Sequence, residues 1–308
     1  MPEIESLRER GITRGENTGF RELDKIYSVK QGTYTIILAE PTHGKSEFIF
    51  EMAMNQTFFG KRSLVCSPET GSPNEIVAEL VHKYTGKVML KSNPYCIGDR
   101  ELYDALAWLN EYFVILDTDE KTYSIKDLFD CANEWDKQHP KQRIDIIIGE
   151  PYNELSHDMT EFGARQDLYI ESIMSEVRRR CKKENRHFFL SIHPAQSMPI
   201  TTKDGITYYP KPLPRQAAGG QALYRKSMTW ITLWRPDSRL LDSSGWQYKP
   251  NEVHVHVDKA KPKGVAEKGK CTLYFDWKRN RYYELGDMYA FEHDRNSADK
   301  FIMPISAQ

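Results

Sequence analysis

Net charge of either sign is what this sequence most plainly lacks. Its 43 Lys and Arg residues stand against 44 Asp and Glu in 308 residues, a formal charge of -1. A globally basic nucleic-acid coat and an acidic disordered chain are both excluded, and any nucleic-acid contact must be local. Cysteine is scarce and scattered. Cys66, Cys96, Cys131, Cys181 and Cys271 include no C-x-x-C pair, so neither a zinc site nor a disulfide framework is indicated, and a reducing compartment fits. No apolar run approaches a membrane span, and Met1-Pro2-Glu3-Ile4-Glu5 carries acids where a signal peptide carries a basic head and an apolar core. The expectation is a cytoplasmic protein with no membrane partner. The remaining composition, 39% hydrophobic and 28% charged, is that of a soluble globular chain long enough for one large α/β domain.

What is present is organised around Tyr34-Thr35-Ile36-Ile37-Leu38-Ala39-Glu40-Pro41-Thr42-His43-Gly44-Lys45-Ser46, an apolar run that breaks into a tight loop and then a helix. The run predicts a buried strand. The loop Glu40 to Ser46 predicts a phosphate cradle, with backbone N–H groups turned inward and the positive end of a helix dipole beneath them. Gly44 allows close backbone approach, Lys45 reaches terminal phosphates and Ser46 offers a hydroxyl to Mg²⁺. Ala39 stands where G-x-x-x-x-G-K-[ST] has its first glycine.

Four further strands follow at βαβ spacing. Ser63 to Ser67 runs out at Pro68-Glu69, Tyr112 to Asp117 is the next, Ile144 to Ile148 runs out at Gly149-Glu150, and His187 to Ile192 ends at His193. Parallel strands would bring Lys45, Glu69, Glu150 and His193 to the carboxyl edge, where open α/β sheets bind ligands. There Glu69 suits activation of a water, Glu150 suits a Mg²⁺-bound water, and His193 suits a hydrogen bond to a γ-phosphate. Each of these residues alone reads more simply as a loop carboxylate or a structural histidine. Their convergence on one edge is the argument.

Beyond His193 the chain turns basic. From Lys203 to Arg281, Lys and Arg outnumber Asp and Glu by roughly two to one. Arg215, Gln216, Gly219, Gly220, Arg225 and Lys226 lie in a long loop rich in small residues, a pattern suited to a phosphodiester backbone. Met228 to Trp234 predicts a sixth strand, and Glu252 to Lys259 and Cys271 to Asp276 flank a lysine-rich loop. His254 and His256 read as strand residues, without a third ligand for a metal. Tyr282 and Tyr283 follow a turn, and either suits covering an adenine ring or burial in the core, with Tyr283 assigned to the nucleotide site.

Taken in order, Thr18-Gly19-Phe20 with Leu23-Asp24, Ala39-x-Pro41-x-x-Gly44-Lys45-Ser46, Ser67-Pro68-Glu69, Asp117-Thr118, Glu150-Pro151-Tyr152-Asn153 and Ser191-Ile192-His193 resemble the RecA-fold motor domain of DnaB-like replicative helicases, nearest to the Twinkle and bacteriophage primase-helicase type. The resemblance spans about residues 11 to 285 and accounts for Ala39, which is usual there in that family. It implies a RecA-like P-loop NTPase with a mostly parallel central sheet flanked by helices and a C-terminal antiparallel extension. Residues 1–30 would be a linker with a helix, 31–285 the motor and 286–308 a tail.

The same resemblance implies roles. Glu40, Pro41, Thr42, His43, Gly44, Lys45 and Ser46 would hold ATP or another NTP, Ser46 and Glu150 the Mg²⁺, Glu69 would be the base and His193 the γ-phosphate sensor. Lys259 and Lys261 would act on a neighbour's nucleotide in a hexameric ring, and Arg215 to Lys226 would line a DNA channel. Single-stranded DNA and a separate primase or loader would be partners, in a bacterial or phage-infected cell. Glu150 replaces the usual Asp, and Lys261 replaces an arginine finger, a point charge for a fork. The alternatives are a RecA- or KaiC-like DNA-binding ATPase that does not unwind, and a nucleotide-binding assembly or loader module.

Overall fold

The computed structural model describes residues 13–286, with residues 4, 5, 8 and 11 and, as backbone, 292–293 and 301–302. The expected tail therefore lies almost wholly outside the described residues. In chain order the elements used below are α1 (Arg21–Ile26), β1 (Tyr34–Leu38), α2 (Lys45–Gln56), β2 (Ser63–Cys66), α3 (Pro73–Thr85), α4 (Asp99–Tyr112), β3 (Phe113–Ile115), α5 (Ile125–Gln138), β4 (Ile146–Gly149), α6 (Gln166–Glu184), β5 (His187–Ile192), β6 (Ile200–Thr201), β7 (Thr207–Tyr208), α7 (Gly220–Lys226), β8 (Thr229–Trp234), β9 (Glu252–Lys259), β10 (Gly269–Asp276) and β11 (Arg281–Tyr283).

One nine-stranded sheet runs in the order β11-β10-β9-β8-β1-β5-β4-β2-β3. The six strands from β8 to β3 pair in parallel. The last three add on antiparallel. This is the α/β architecture expected, extension included. Strands such as Tyr34–Leu38 and Ile146–Gly149 are buried at every position because helices cover both faces of the sheet. Two apolar clusters result. Alternation assigns Ile37, Ile148 and Phe189 to one face with Phe48 and Met52 of α2, and Ile36, Ile147 and Phe188 to the other with Ile170 and Met174 of α6.

Local chemistry sets the helix ends. Ser124 opens α5 with a reciprocal capping box, Asp127 N–H donating to Ser124 Oγ at 3.2 Å and Ser124 N–H donating to Asp127 Oδ2 at 2.8 Å. Residues 14–30 pack on the sheet instead of standing apart as a linker. Asn55 and Gln56 of α2 donate to the Thr18 and Asn17 carbonyls, both at 2.8 Å, and Arg21 and Glu22 N–H donate to Glu284.

Two buried polar groups tie elements together. Glu51 of α2 accepts from Arg281 Nε at 2.7 Å, Lys83 Nζ at 3.1 Å and Tyr282 N–H at 3.2 Å. Burial opposes its charge, but Arg281 and Lys83 outweigh burial and hold the carboxyl below its ordinary value. This joins α2, α3 and β11 at one carboxylate. At the opposite edge of the sheet, His187 donates from Nδ1 to the Lys30 carbonyl at 2.9 Å, and burial pushes its pKa down to about 4.

A histidine held neutral on folding lets the unfolded chain bind the extra proton between pH 6.5 and about 4. Stability is therefore full above 6.5 and lost as pH falls through that window. Chemical denaturation at stepped pH should show His187 contributing up to about one proton to this slope, roughly 1.4 kcal/mol per pH unit. His187→Gln should flatten it, and an unchanged slope in that variant refutes the assignment.

Candidate nucleotide site

Parallel register delivers the site. Leu38 pairs with Ile192, Gly149 with Leu190 and Cys66 with Gly149, so the residues just beyond these strand ends share one edge. The loop after β1 turns back over that edge through Thr42 at φ 65° and Gly44 at φ 83°. Gly44 is needed twice: it sits in the left-handed region, and a Cβ there would collide with the Tyr282 hydroxyl.

Lys45 is 6% exposed. Its Nζ lies 3.2 Å from His193 Nδ1, and His193 Nε2 lies 2.8 Å from Glu69 Oε2. An ammonium can only donate, so Nδ1 accepts, and Nε2 carries the hydrogen donated to Glu69. Lys45, His193 and Glu69 thus form one hydrogen-bonded chain across three strand ends. Burial lowers the Lys45 pKa, while Glu150, Glu69, Glu47 and Glu40 pull it back.

Glu150 is 1% exposed and lies beside this chain. Burial raises its carboxyl to about 7, against a hydrogen bond from Ser46 and the charge of Lys45. Ser67 Oγ donates to its Oε2 at 3.5 Å, and Oε1 has no hydrogen-bond partner among the described residues. An orphaned buried carboxylate oxygen beside a serine hydroxyl is a hard-oxygen donor set that fits Mg²⁺, which keeps waters and takes phosphate oxygens for its remaining positions. The extra methylene of Glu150 does not carry its carboxylate away from Ser46.

The other loop residues divide by burial. Glu40 is buried and accepts from Ser197 Oγ, which ties the cradle to the segment after His193. Pro41 and Thr42 are exposed. His43 accepts at Nδ1 from Arg235 N–H at 3.3 Å, and burial, then Arg235 and Lys45, hold it neutral with a pKa of about 4.

Two expectations are corrected. Tyr283 does not face the cradle: its hydroxyl accepts from Asn251 Nδ2 at 3.0 Å, and its ring packs on Tyr274. Tyr282 does, donating from Oη to the Gly44 carbonyl at 3.0 Å. Alternation along β11 decides this, since the register pairs Tyr282 with Phe275, and both pack with the face that carries α2. Arg215 to Lys226 is not an open loop. Gly219, at φ 84°, allows close approach to Ile170, and α7 lies on α6 with Arg225 bonded to Glu171 and Lys226 to Ser175. Gln216 accepts from Leu213 N–H at 2.7 Å, whereas Arg215 is exposed and Gly220 faces open space.

The two cations expected to act on a neighbour's nucleotide differ in their surroundings. Lys259 directs its ammonium to the Tyr224 and Arg225 carbonyls at the end of α7, and burial, then Lys261, lowers its pKa to about 8. Lys261 is exposed. No contact among the described residues links it to Lys45, Glu69, Glu150 or His193.

A cavity of about 280 Å³ lies beside Gly44, and of its lining Glu47, Arg235, Val253, Phe275 and Trp277 were missed from sequence. Val253, Phe275 and Tyr282 form its apolar wall, Glu47 lies on it, and Arg235 stands over the Trp277 ring at 5.0 Å. Glu47 carries a legible signal, the second position after Lys45. Arg235, Val253, Phe275 and Trp277 come from far along the chain and had none.

No protein-family model matches the chain. Over 201 residues it is 25% identical to the Twinkle homolog protein, chloroplastic/mitochondrial, of Arabidopsis thaliana, a match covering 61% of this chain and 27% of that protein. It therefore spans about a quarter of that relative. Among solved structures it is similar to the separately solved ATPase domain of a DnaB-like helicase, with TM-score 0.70, 18% identity and coverage of 92% of this chain and 95% of that one. A DnaB-like replicative helicase, solved in a study of its interactions with primase, matches with TM-score 0.69 and 16% identity over 91% of this chain and 66% of that one. The chain has the RecA-like fold of DnaB-type helicase ATPase domains, and its sequence is similar to the Twinkle branch that its motifs resemble.

Proposed function

We propose that this chain is an NTP-hydrolysing helicase motor that works as a ring on single-stranded DNA. The observation that carries the reading is the hydrogen-bonded chain Lys45–His193–Glu69 with the orphaned oxygen of Glu150 beside it. Four polar groups from four strand ends meet where the phosphate loop opens. On this reading residues 31–285 are the motor, with residues 14–30 built into it, and 286–308 are a tail.

The residues divide the work. Backbone N–H groups of the Glu40–Ser46 loop and the Lys45 ammonium hold the phosphates, and Ser46 and Glu150 hold Mg²⁺, which when bound neutralises charge on the phosphoryl group. A γ-phosphate takes Lys45 from His193 Nδ1, and His193 turns its donor toward the phosphate. That frees Glu69 to accept a proton from the attacking water. The exposed ammonium of Lys261 from a neighbouring copy supplies the remaining positive charge.

His193 also connects outward. Its carbonyl accepts from Ala218 N–H at 2.9 Å, and Ala195 N–H donates to the Gln216 carbonyl at 2.6 Å, so a shift at the sensor reaches the segment leading to α7. With Arg225 and Lys226 bonded to α6, the surface we assign to DNA is Arg215 with the exposed β6–β7 hairpin, including Lys203 and Tyr209. Among the described residues no helix is long and apolar enough to cross a membrane. A separate primase or loader would complete the machinery, and a bacterial or phage-infected cell is the setting proposed.

Phosphate release measured with and without single-stranded DNA, across protein concentration, tests the reading. Wild-type turnover per subunit should rise with concentration and with DNA, and Lys261→Ala should lose most of that rise. A turnover per subunit independent of both would sink the ring motor. Glu69→Gln should lose about a hundredfold or more in turnover while still binding nucleotide. Gly44→Ala, forced against Tyr282 at positive φ, should lose nucleotide binding. Gly60→Ala, also at positive φ but facing open space, should only lower stability by about 1 kcal/mol. Equal binding by the two glycine variants would disprove the role of Gly44.

A further inference from the structure

The cavity beside Gly44 has a polarity that the phosphate chemistry does not use. Val253, Phe275 and Trp277 make much of its wall apolar, and Thr42, His43, Arg235 and Tyr282 add polar groups. Tyr282 spends its only proton on the Gly44 carbonyl, so its oxygen is left as an acceptor. Burial, with the Glu47 and Glu51 charges, keeps that phenol protonated. Arg235 donates from Nη2 to the Pro250 carbonyl at 3.0 Å while lying over Trp277.

Glu47 is the carboxylate on this lining. It makes no hydrogen bond or ion pair among the described residues, and its Oε2 lies 3.8 Å from where a Cβ on Gly44 would stand. The carboxylate therefore borders the cavity next to the Tyr282 oxygen, and both groups only accept. A helix N-terminus stabilises an acid at this position. That accounts for its charge but not for its lying unpaired on the wall of a ring-sized apolar slot.

We propose that Glu47 selects the nucleotide, accepting a hydrogen bond from a donor on the nucleoside, either a sugar hydroxyl or an exocyclic base amine. The inference rests on the phosphate-loop reading above and deepens it. The ring enters between Phe275, Val253 and the Arg235–Trp277 pair, and a donor on the nucleoside meets the carboxylate. A nucleoside without that donor leaves the carboxylate facing a group that cannot satisfy it. A hydrogen bond to a charged acceptor is worth about tenfold to a hundredfold in affinity.

Equilibrium binding of the Mg²⁺ complexes of ATP, 2′-deoxy-ATP and purine riboside triphosphate to wild type, Glu47→Gln and Glu47→Ala decides it, with Mg²⁺ tripolyphosphate as a probe of the phosphate loop alone. Wild type should bind at least one analogue about tenfold or more weakly than ATP. The deoxy arm reports a sugar contact, and the purine riboside arm reports an amine contact. Glu47→Ala should bring ATP down to the level of that analogue, Glu47→Gln should keep part of the discrimination through its amide oxygen, and tripolyphosphate binding should be the same in all three. Equal wild-type affinities, or discrimination surviving in Glu47→Ala, overturns the proposal. Failure of wild type to bind any of the four probes removes the nucleotide site and this inference with it. Binding and discrimination without phosphate release leaves the selectivity of Glu47 standing and removes the motor.

Discussion

Strands laid parallel must all finish on the same edge, and in this chain that constraint makes the site. Lys45, Glu69, Glu150 and His193 are separated by up to 148 residues, yet Lys45 and His193 meet at 3.2 Å. The contact is fixed by the pairing of β1 with β5, because Leu38 stands opposite Ile192 and the chain leaves both strands at one level. A slip of one residue in that register would turn the side chains to the opposite face and break the hydrogen-bonded chain through His193.

The register is in turn held by burial. The central strands carry apolar side chains on both faces, and Thr35 and Thr232 among them are paired, with Tyr27 and Asp258. Glu51 shows what a buried charge contributes here. It fixes α2, α3 and β11 relative to one another, so the phosphate loop, the helix that follows Glu69, and Tyr282 over Gly44 share one anchor. A buried ion pair is weak evidence for stability. Its geometric effect is plain, since the Tyr282 backbone and hydroxyl bind two different parts of the phosphate-loop unit.

Much of this was legible in the chain. Apolar runs at regular spacing marked the parallel strands, and the residue after each run marked the edge, so the phosphate loop and its three polar partners could be named from position alone. Tyr283 shows where such reading stops. Two adjacent tyrosines differ only in parity, and parity is set by a partner strand whose register no local pattern fixes. Arg215 to Lys226 stops it differently: small and basic residues suit a nucleic-acid loop, but Gly219 is small because Ile170 is close, and that contact belongs to a helix nearly fifty positions earlier.

The sequence by itself determined the order of the elements, the parallel core and the identity of the groups at its carboxyl edge, because hydrophobic period and turn residues are local properties. Tertiary structure alone decided that Lys259 binds the end of α7, that Tyr282 and not Tyr283 closes on Gly44, and that Glu47, with no hydrogen bond among the described residues, borders an apolar slot. Each of these depends on which side of a strand or helix meets a neighbour distant in the chain. Side-chain direction is settled only when the packing is complete.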